Sequence, residues 1–203
     1  QKHTMNPFQA PPANAIIREV SLRDGLQSID RVVPTEQKKS WLEEALAAGL
    51  REIEVGSFVP AKYLPQLADT AKLVAFAKQL EGLQVSVLVP NLRGAQAAMD
   101  SGADSMVLPL SASHVHSLAN LRRTPDEVVD ELERISAARD AAGSATRLEV
   151  GISTAFGCTL QGRVDPAEVL RLVRAALNAG ADRISLADTV GYADPRSVHA
   201  LFS

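Results

Sequence analysis

The segment Ser-Leu-Arg-Asp-Gly-Leu-Gln, residues 21–27, places Arg23 beside Asp24 directly after an apolar run that begins at Ala15. An arginine and an aspartate side by side are ordinary on a solvated loop, where they form a surface ion pair. The same two charges at the mouth of a buried strand would be costly unless they had a function. Arg23 and Asp24 are therefore the first candidates for chemistry, as a fixed positive charge beside a carboxylate.

A third charged residue, Glu54, stands within the apolar sequence Ile53-Glu54-Val55. A carboxylate inside a buried strand needs a partner, because an isolated buried charge is strongly disfavoured. Arg23 is the natural partner, so the pattern predicts an Arg23–Glu54 pair. A purely structural carboxylate that pairs with an arginine fits the same pattern.

The composition is that of a globular chain that can bury one substantial core or two small ones. Its 203 residues are 46% hydrophobic, and 21 Lys and Arg against 24 Asp and Glu give a formal net charge of −3. Without a dense basic run, nucleic acid is a poor candidate for a partner. Charges interrupt the apolar windows well before the roughly 20 residues of a membrane span. The single Cys158 excludes an intrachain disulfide and fits a reducing compartment, so we expect a cytoplasmic protein.

Six short runs rich in branched apolar residues have the length of β-strands, and segments with helical periodicity lie between them. Thr124 is the expected cap of one helix, and Pro166 opens another. The predicted strands are residues 16–21, 52–58, 83–89, 105–110, 148–153 and 183–187, and the predicted helices include residues 36–48, 125–142 and 166–179.

One phrase recurs at residues 47–55, 100–108 and 178–186, and each copy reads as a helix end, a glycine and the start of a strand. Short helix-to-strand connections are what a parallel sheet of βα units requires. An open doubly wound sheet and a (β/α)₈ barrel both satisfy this. No Gly-x-Gly-x-x-Gly follows the first strand, which argues against a dinucleotide-binding open sheet. Polar residues follow the predicted strands, where a barrel builds its active site, and this favours the barrel.

The chain is too short for a complete barrel, which takes eight strands and about 250 residues. We therefore predict an α/β fold of the TIM (β/α)₈ barrel type that is incomplete, with six βα units present and strands 7 and 8 absent. An open six-stranded α/β domain is the alternative. Residues 15–203 are predicted to form this single partial barrel, and the polar, proline-rich residues 1–14 to be a flexible lead-in or a cloning remnant.

Five motifs, in this order along the chain, resemble those of the hydroxymethylglutaryl-CoA lyase family. That family belongs to a larger group of metal-dependent barrels that make or break carbon–carbon bonds. The Arg-Asp-Gly sequence is shared by the wider group, whereas its continuation and residues 52–69 point to the lyase branch. The motifs are SLRDGLQ, EIEVGSFVPAKYLPQLADT, VPNLRG, STAFGCTLQG and ISLADTVG.

The resemblance implies cleavage of a 3-hydroxy-3-methylglutaryl-CoA-like acyl thioester into acetyl-CoA and an oxo acid. Cleavage between the α and β carbons leaves an enolate, and Arg23 is suited to stabilise it. The resemblance also implies a divalent cation, Mg²⁺ or Mn²⁺, with Asp24 as one ligand. Gly25 is expected to let the chain turn, so that both side chains face one pocket. Glu54 is implied to be a catalytic or site-organising acid.

Further residues match family positions near the acyl-CoA substrate, where their polar groups can hydrogen-bond its oxygens. For the serines, capping of a strand end is the alternative. The His114 and His116 pair has the spacing of a metal site on a strand. Since the family's own His-x-His lies on the seventh strand, we interpret the pair as a loop that binds no metal, with His114 reaching the substrate as the second interpretation. Cys158 is interpreted as a small packed residue. The substrate-binding candidates are Gln27, Ser57, His114, Ser185 and Asp188.

The sequence departs from the lyase pattern in two respects. Asp30 stands where a lysine is usual, and the resemblance implies further metal ligands and a catalytic cysteine in segments beyond Ser203. We therefore expect these 203 residues alone to be inactive. We also expect either that further chain supplies the missing segment or that these residues associate as a homo-oligomer through the open side. A condensing synthase or aldolase of the same barrel group, and an inactive truncated barrel that acts as a binding module, are the alternative functions.

Overall fold

The computed structural model describes residues 15–203, so the prediction for residues 1–14 lies outside the described residues. One parallel sheet holds six strands, and each strand pairs with the next one in sequence. A doubly wound sheet would instead reverse its strand order at a switch point. The predicted incomplete barrel is thus confirmed. The strands are β1 (Arg18–Glu19), β2 (Glu52–Ser57), β3 (Gln84–Leu88), β4 (Ser105–Ser111), β5 (Arg147–Ser153) and β6 (Arg183–Leu186).

Helices alternate with the strands, and the three predicted helices are confirmed to within one residue at each end. Thr124 caps its helix through a capping box with Glu127, as two reciprocal hydrogen bonds show. None of the helices between residues 15 and 203 combines the length and apolar character that a membrane crossing requires. The helices are α1 (Thr35–Ala47), α2 (Thr70–Ala77), α3 (Leu92–Ser101), α4 (His114–Leu121), α5 (Pro125–Ala141), α6 (Pro166–Asn178) and α7 (Pro195–Phe202).

The first strand is much shorter than predicted. Ile16 and Ile17 are 70% and 68% exposed and lie before β1, which holds two residues. After Val20 the chain forms a short π-helical turn, Ser21–Gly25. Branched apolar residues favour a strand, but a strand also needs neighbours, and among the described strands β1 pairs with β2 alone. Because β1 pairs on one side only, the strand ends after two residues.

The recurring phrase ends three helices with a glycine in the left-handed region. Gly49, Gly102 and Gly180 have φ angles of 97°, 76° and 97°, where an L side chain is strained. Gly180 is also crowded, because a Cβ there would lie 2.1 Å from Oγ of Ser136 on α5. The predicted link from helix to strand is therefore confirmed, and glycine is required there by backbone conformation.

Four charged residues form a cluster on the inside of the sheet, which we call the interior charge cluster: Arg18, Glu52, Glu149 and Arg183. Nη2 of Arg18 lies 2.6 Å from Oε1 of Glu52 and 2.6 Å from Oε2 of Glu149. Nη1 of Arg183 lies 3.1 Å from Oε1 of Glu52.

The interior charge cluster shows that the sheet is curled. Arg18 is on β1 and Glu149 on β5, which stand four positions apart in the sheet. At about 4.8 Å between neighbouring strands, a flat sheet would separate them by about 19 Å. Direct contact between Arg18 and Glu149 therefore requires barrel curvature, with the inward side chains meeting across the interior.

Replacing Arg18 with alanine is expected to lower the free energy of unfolding by about 3–5 kcal/mol, because two buried carboxylates lose the cation they share. Urea denaturation measures this loss. Arg171→Ala is the matched control, since Arg171 forms its ion pairs with Asp126 and Glu168 on the surface. That variant should lose no more than about 1 kcal/mol. Equal losses in the two variants would contradict a structural role for the interior charge cluster.

Candidate active site

A cavity of about 1010 Å³ lies on the inside of the curled sheet. Inward-facing strand residues and residues that follow the strands line it together, as expected where a barrel carries its active site. The structure brings six of the eight predicted site residues to this cavity. These are Arg23, Asp24, Gln27, Glu54, Ser185 and Asp188.

Arg23 and Glu54 form the predicted pair at the wall of the cavity. Nε of Arg23 donates to Oε1 of Glu54, and Nη1 donates to Oδ1 of Asp24 at 2.7 Å. The side chain of Glu54 is 4% exposed, whereas that of Asp24 is 64% exposed. The guanidinium is thus held between a buried carboxylate and a solvated one, and Nη2 has no hydrogen-bond partner within residues 15–203.

Arg23 and Asp24 reach the cavity through a helical turn. The backbone N–H of Asp24 donates to the carbonyl of Val20 at 2.7 Å, which closes the turn after β1. A turn of this kind avoids the opposite orientation that consecutive strand residues would have. Gly25 has no left-handed φ. The expected turn is present and includes Gly25, but its helical backbone does not require the conformational freedom of a glycine at that position.

The Glu54 carboxyl has a pKa above its ordinary value. Burial raises the pKa of this group, and the positive charge and hydrogen bond of Arg23 oppose the rise without cancelling it. Arg18 lowers the pKa further and Glu149 raises it. Burial therefore disfavours the charged form of the Glu54 side chain, and the fixed guanidinium partly offsets this effect.

The Glu149 carboxyl shows the opposite balance. Burial alone would raise its pKa, but the two hydrogen bonds from Arg18 outweigh this, with help from Ser185 and Arg183, and the net pKa is lowered. Oγ of Ser185 donates to Oε1 of Glu149 at 3.0 Å. Ser185 thus connects the cavity wall to the interior charge cluster.

Asp188 and Gln27 lie at the exposed rim of the cavity. The two carboxylate oxygens of Asp188 accept hydrogen bonds from the backbone N–H groups of Tyr192 and Ala193, at 2.9 and 3.1 Å. Asp188 therefore orders the loop before α7 as well as facing the cavity, whereas Gln27 extends from the residues that follow the Ser21–Gly25 turn.

Ser57 and His114 are not brought to the cavity. Ser57 is 2% exposed, and its Oγ accepts a hydrogen bond from the backbone N–H of Val59 at 3.1 Å. This arrangement is the strand-end role that the sequence left as the alternative. His114 is exposed at the start of α4 and does not line the cavity.

The interpretation of His114 and His116 as a loop pair is wrong, because both belong to α4. Ser113 caps this helix, with its Oγ accepting from the backbone N–H of His116 at 3.1 Å. His116 lines the cavity instead of His114, and its Nδ1 lies 2.9 Å from Oγ of Ser111. A Ser-x-x-His spacing that fits a helix cap was the signal that could have shown this.

Sequence reasoning missed several other cavity residues. Glu149 lies between Leu148 and Val150, the same pattern that identified Glu54, and Arg18 follows two isoleucines. A search for every charge within a predicted strand would have found both. Asn120 and Arg123 also line the cavity, but they depend on the length and position of α4, for which no strand-end signal exists.

The described residues do not by themselves fit a complete cation site. Asp24 offers one carboxylate, and one of its oxygens already accepts from Arg23. Residues 15–203 contain no group of three His, Cys, Asp or Glu side chains placed to hold a metal ion.

Cys158 is 1% exposed, and its Sγ accepts from the backbone N–H of Leu160 at 3.3 Å, as expected of a packed residue.

A curled parallel sheet, with polar side chains gathered around an interior cavity, defines the class of the (β/α) barrels. A family model described as HMGL-like matches residues 14–203. The chain belongs to the HMGL-like family, which confirms the resemblance found in the sequence.

Relatives with this fold are named as hydroxymethylglutaryl-CoA lyases. The chain is 33% identical to hydroxymethylglutaryl-CoA lyase YngG of Bacillus subtilis over 94% of this chain and 63% of that protein. It is 34% identical to the mitochondrial enzyme of Bos taurus over 95% of this chain and 58% of that protein. The chain thus spans less than two thirds of these relatives. Other relatives are named as cytoplasmic.

Solved structures of such lyases superimpose closely on the chain. An HMG-CoA lyase from Bacillus subtilis has a TM-score of 0.85 at 32% identity, over 92% of this chain and 62% of that one. An HMG-CoA lyase from Acinetobacter baumannii, in complex with coenzyme A and 3-methylmalate, has a TM-score of 0.83 at 35% identity, over 92% and 60%.

The raised pKa of Glu54 predicts a pH-dependent contribution to stability. Because the folded state holds the Glu54 proton more tightly than the unfolded state does, this group costs stability as the pH rises from its ordinary value through the raised pKa. Glu54→Gln removes that titration. The free energy of unfolding of the original chain minus that of Glu54→Gln should therefore fall as the pH rises above the ordinary pKa of a glutamate and through the raised pKa of Glu54.

Urea denaturation at several pH values measures this difference. Glu36→Gln is the matched control, since Glu36 is an exposed glutamate on α1 whose side chain is 81% exposed. A difference for Glu54→Gln that rises with pH would show that Arg23 lowers the pKa more than burial raises it, and would contradict the prediction.

Proposed function

We propose that the chain provides part of the active site of a carbon–carbon lyase that cleaves a 3-hydroxy-3-methylglutaryl-CoA-like acyl thioester. The observation that carries the proposal is the Arg23 guanidinium, held by buried Glu54 at the wall of a large interior cavity. The lyase names of the relatives support it, as does the coenzyme A in a related structure. Because the chain spans less than two thirds of those relatives, the activity is a proposal about the whole protein.

The reaction breaks the bond between the α and β carbons of the thioester. The β-hydroxyl gives up its proton and becomes the carbonyl of an oxo acid. The electron pair of the broken bond passes to the α carbon and onto the thioester oxygen as an enolate. Protonation of the α carbon then gives acetyl-CoA.

Arg23 is proposed to donate to the thioester oxygen on which this negative charge develops. A donor that is already oriented stabilises the transition state without reorganising as the charge forms. Glu54 provides that orientation, because its buried carboxylate binds Nε of Arg23. Gln27, Ser185 and Asp188 are proposed to contact the substrate from other parts of the cavity wall.

We also propose that Asp24 contributes one ligand to a divalent cation, Mg²⁺ or Mn²⁺. A solvated carboxylate is a suitable hard oxygen ligand. Since residues 15–203 lack a complete set of ligands, the remaining ligands would have to come from elsewhere. We further propose a homo-oligomer, because β1 and β6 each have one edge unpaired within the described sheet.

The activity can be tested in a chimera that joins residues 15–203 to the part of the Bacillus subtilis relative that this chain does not cover. We expect this chimera to release acetyl-CoA from 3-hydroxy-3-methylglutaryl-CoA. Arg23→Lys should lower kcat by about 100-fold or more with a smaller change in KM, because lysine keeps the charge but loses the planar fork.

Arg31→Lys is the matched control, since Arg31 is exposed in the following segment and does not line the cavity. It should retain the rate of the unsubstituted chimera. Consumption of acetyl-CoA with a 2-oxo acid would instead support the condensing synthase or aldolase. A chimera that binds the thioester without cleaving it would support the binding module.

Asp24→Asn is expected to shift the Mn²⁺ dependence of the chimera's rate to at least about 10-fold higher concentration, because a neutral amide is a weaker ligand than a carboxylate. Rates measured over a Mn²⁺ titration give this shift. Asp30→Asn, a change of the same chemistry at an exposed position outside the cavity lining, should leave the curve unchanged. A rate that is indifferent to chelators would contradict the cation assignment.

A further inference from the structure

Lys38 of α1 is a fully buried cation that lies outside the cavity. It is 1% exposed, and its Nζ donates to Oδ1 of Asp69 and to the backbone carbonyl of Gln66, both at 2.6 Å. Oδ2 of Asp69 accepts from Oγ1 of Thr35, the first residue of α1, at 2.8 Å. Lys38 thus fixes the short 3₁₀ turn Pro65–Leu67 against the start of α1.

Gln66 connects this 3₁₀ turn to the segment that follows Arg23 and Asp24. Its side chain is buried, and Nε2 donates to the carbonyl of Ile29 at 2.6 Å. The orientation of the amide is determined by this contact, because the alternative would place two oxygens against each other. Oε1 of Gln66 is buried and has no hydrogen-bond partner among the described residues.

Gly25–Asp30 is joined to distant parts of the described chain by this hydrogen bond and by the burial of Leu26 in the core. Its other hydrogen bonds within the described chain are local, such as Ser28 to the carbonyl of Gly25 and the backbone N–H of Ile29 to the carbonyl of Leu26. Leu26 is buried, but Gln27 and Ile29 are exposed. The bond from Gln66 to Ile29 is therefore the polar link between this segment and the rest of the domain.

We propose that Gln66 is a positioning residue, which holds Gly25–Asp30 so that Gln27 stays aligned at the cavity. Lys38 and Asp69 act through it by fixing its backbone. The effect on catalysis rests on the proposed lyase function, whereas the effect on the segment itself does not.

Gln66→Leu separates positioning from a merely structural role. Leucine has a similar volume and removes the bond to Ile29, which frees the segment. It also removes the buried Oε1 that lacks a partner, and loss of an unsatisfied buried acceptor favours the folded state. The two effects on global stability oppose each other, so the midpoint of urea unfolding should change little.

The test has two arms. In the 203-residue chain, the backbone amides of Ser28 and Ile29, which donate to the carbonyls of Gly25 and Leu26, should exchange with solvent deuterium at least about 10-fold faster in Gln66→Leu, while the amides of β2 and β3 keep their rates. In the chimera, KM for the thioester should rise at least about 5-fold with a smaller change in kcat, since the substrate contact of Gln27 is lost.

Gln96→Leu is the matched control, because Gln96 lies exposed on α3 and bonds to Asp100. It should change neither arm. Unchanged exchange at Ser28 and Ile29 in Gln66→Leu would overturn the proposal whatever the chimera does. Faster exchange with unchanged KM would also overturn it, while a chimera without any lyase activity would contradict the proposed function and leave the exchange arm to decide the positioning role.

Discussion

The contact of Arg18 with Glu52 and Glu149 is the interaction on which the rest of the structure depends. Arg18 and Glu52 lie on neighbouring strands, whereas Glu149 lies on β5, which a flat sheet would hold far from β1. The hydrogen bonds of 2.9 and 2.6 Å from Arg18 to Glu149 therefore join opposite sides of the interior. Burying a charged side chain in the low-dielectric interior is strongly unfavourable unless an opposite charge pairs with it. The inward faces of β1, β2 and β5 therefore converge, and the curled sheet encloses the cavity.

The candidate site contains a second buried arginine–glutamate pair, one inward position further along β2. Glu54 follows Glu52 at the next inward position of β2, and it binds Arg23 as Glu52 binds Arg18. Both arginines line the cavity, but Arg23 lies nearer the strand ends, where it also binds the exposed carboxylate of Asp24. One arginine thus stabilises the barrel interior, while the other carries a fixed charge to the position where a substrate could bind.

Much of this could be predicted from local sequence, and the exceptions have physical causes. The βα order, the glycine-ended helices and the Arg23–Glu54 pair each follow from residues a few positions apart or from one unpaired buried charge. The short β1 and the π-helical turn could not be predicted, because they depend on which strands are available for pairing. Helix α4 and the cavity position of His116 were missed because the polar residues around the Ser113 cap have the composition of a loop. Gln66 and Lys38 give no sequence signal, since their role arises from contacts across 28 to 37 residues.

The most direct measurement of the central claim follows the guanidinium of Arg23 by NMR while a non-cleavable 3-hydroxyglutaryl thioester analogue of coenzyme A is titrated into the protein. We expect a saturable change in the Nε–Hε resonance of Arg23. This change should be absent in Glu54→Gln, where the guanidinium is no longer held by a carboxylate. Saturable binding that leaves this resonance unchanged would contradict the claim that Arg23 donates to the thioester oxygen of the substrate.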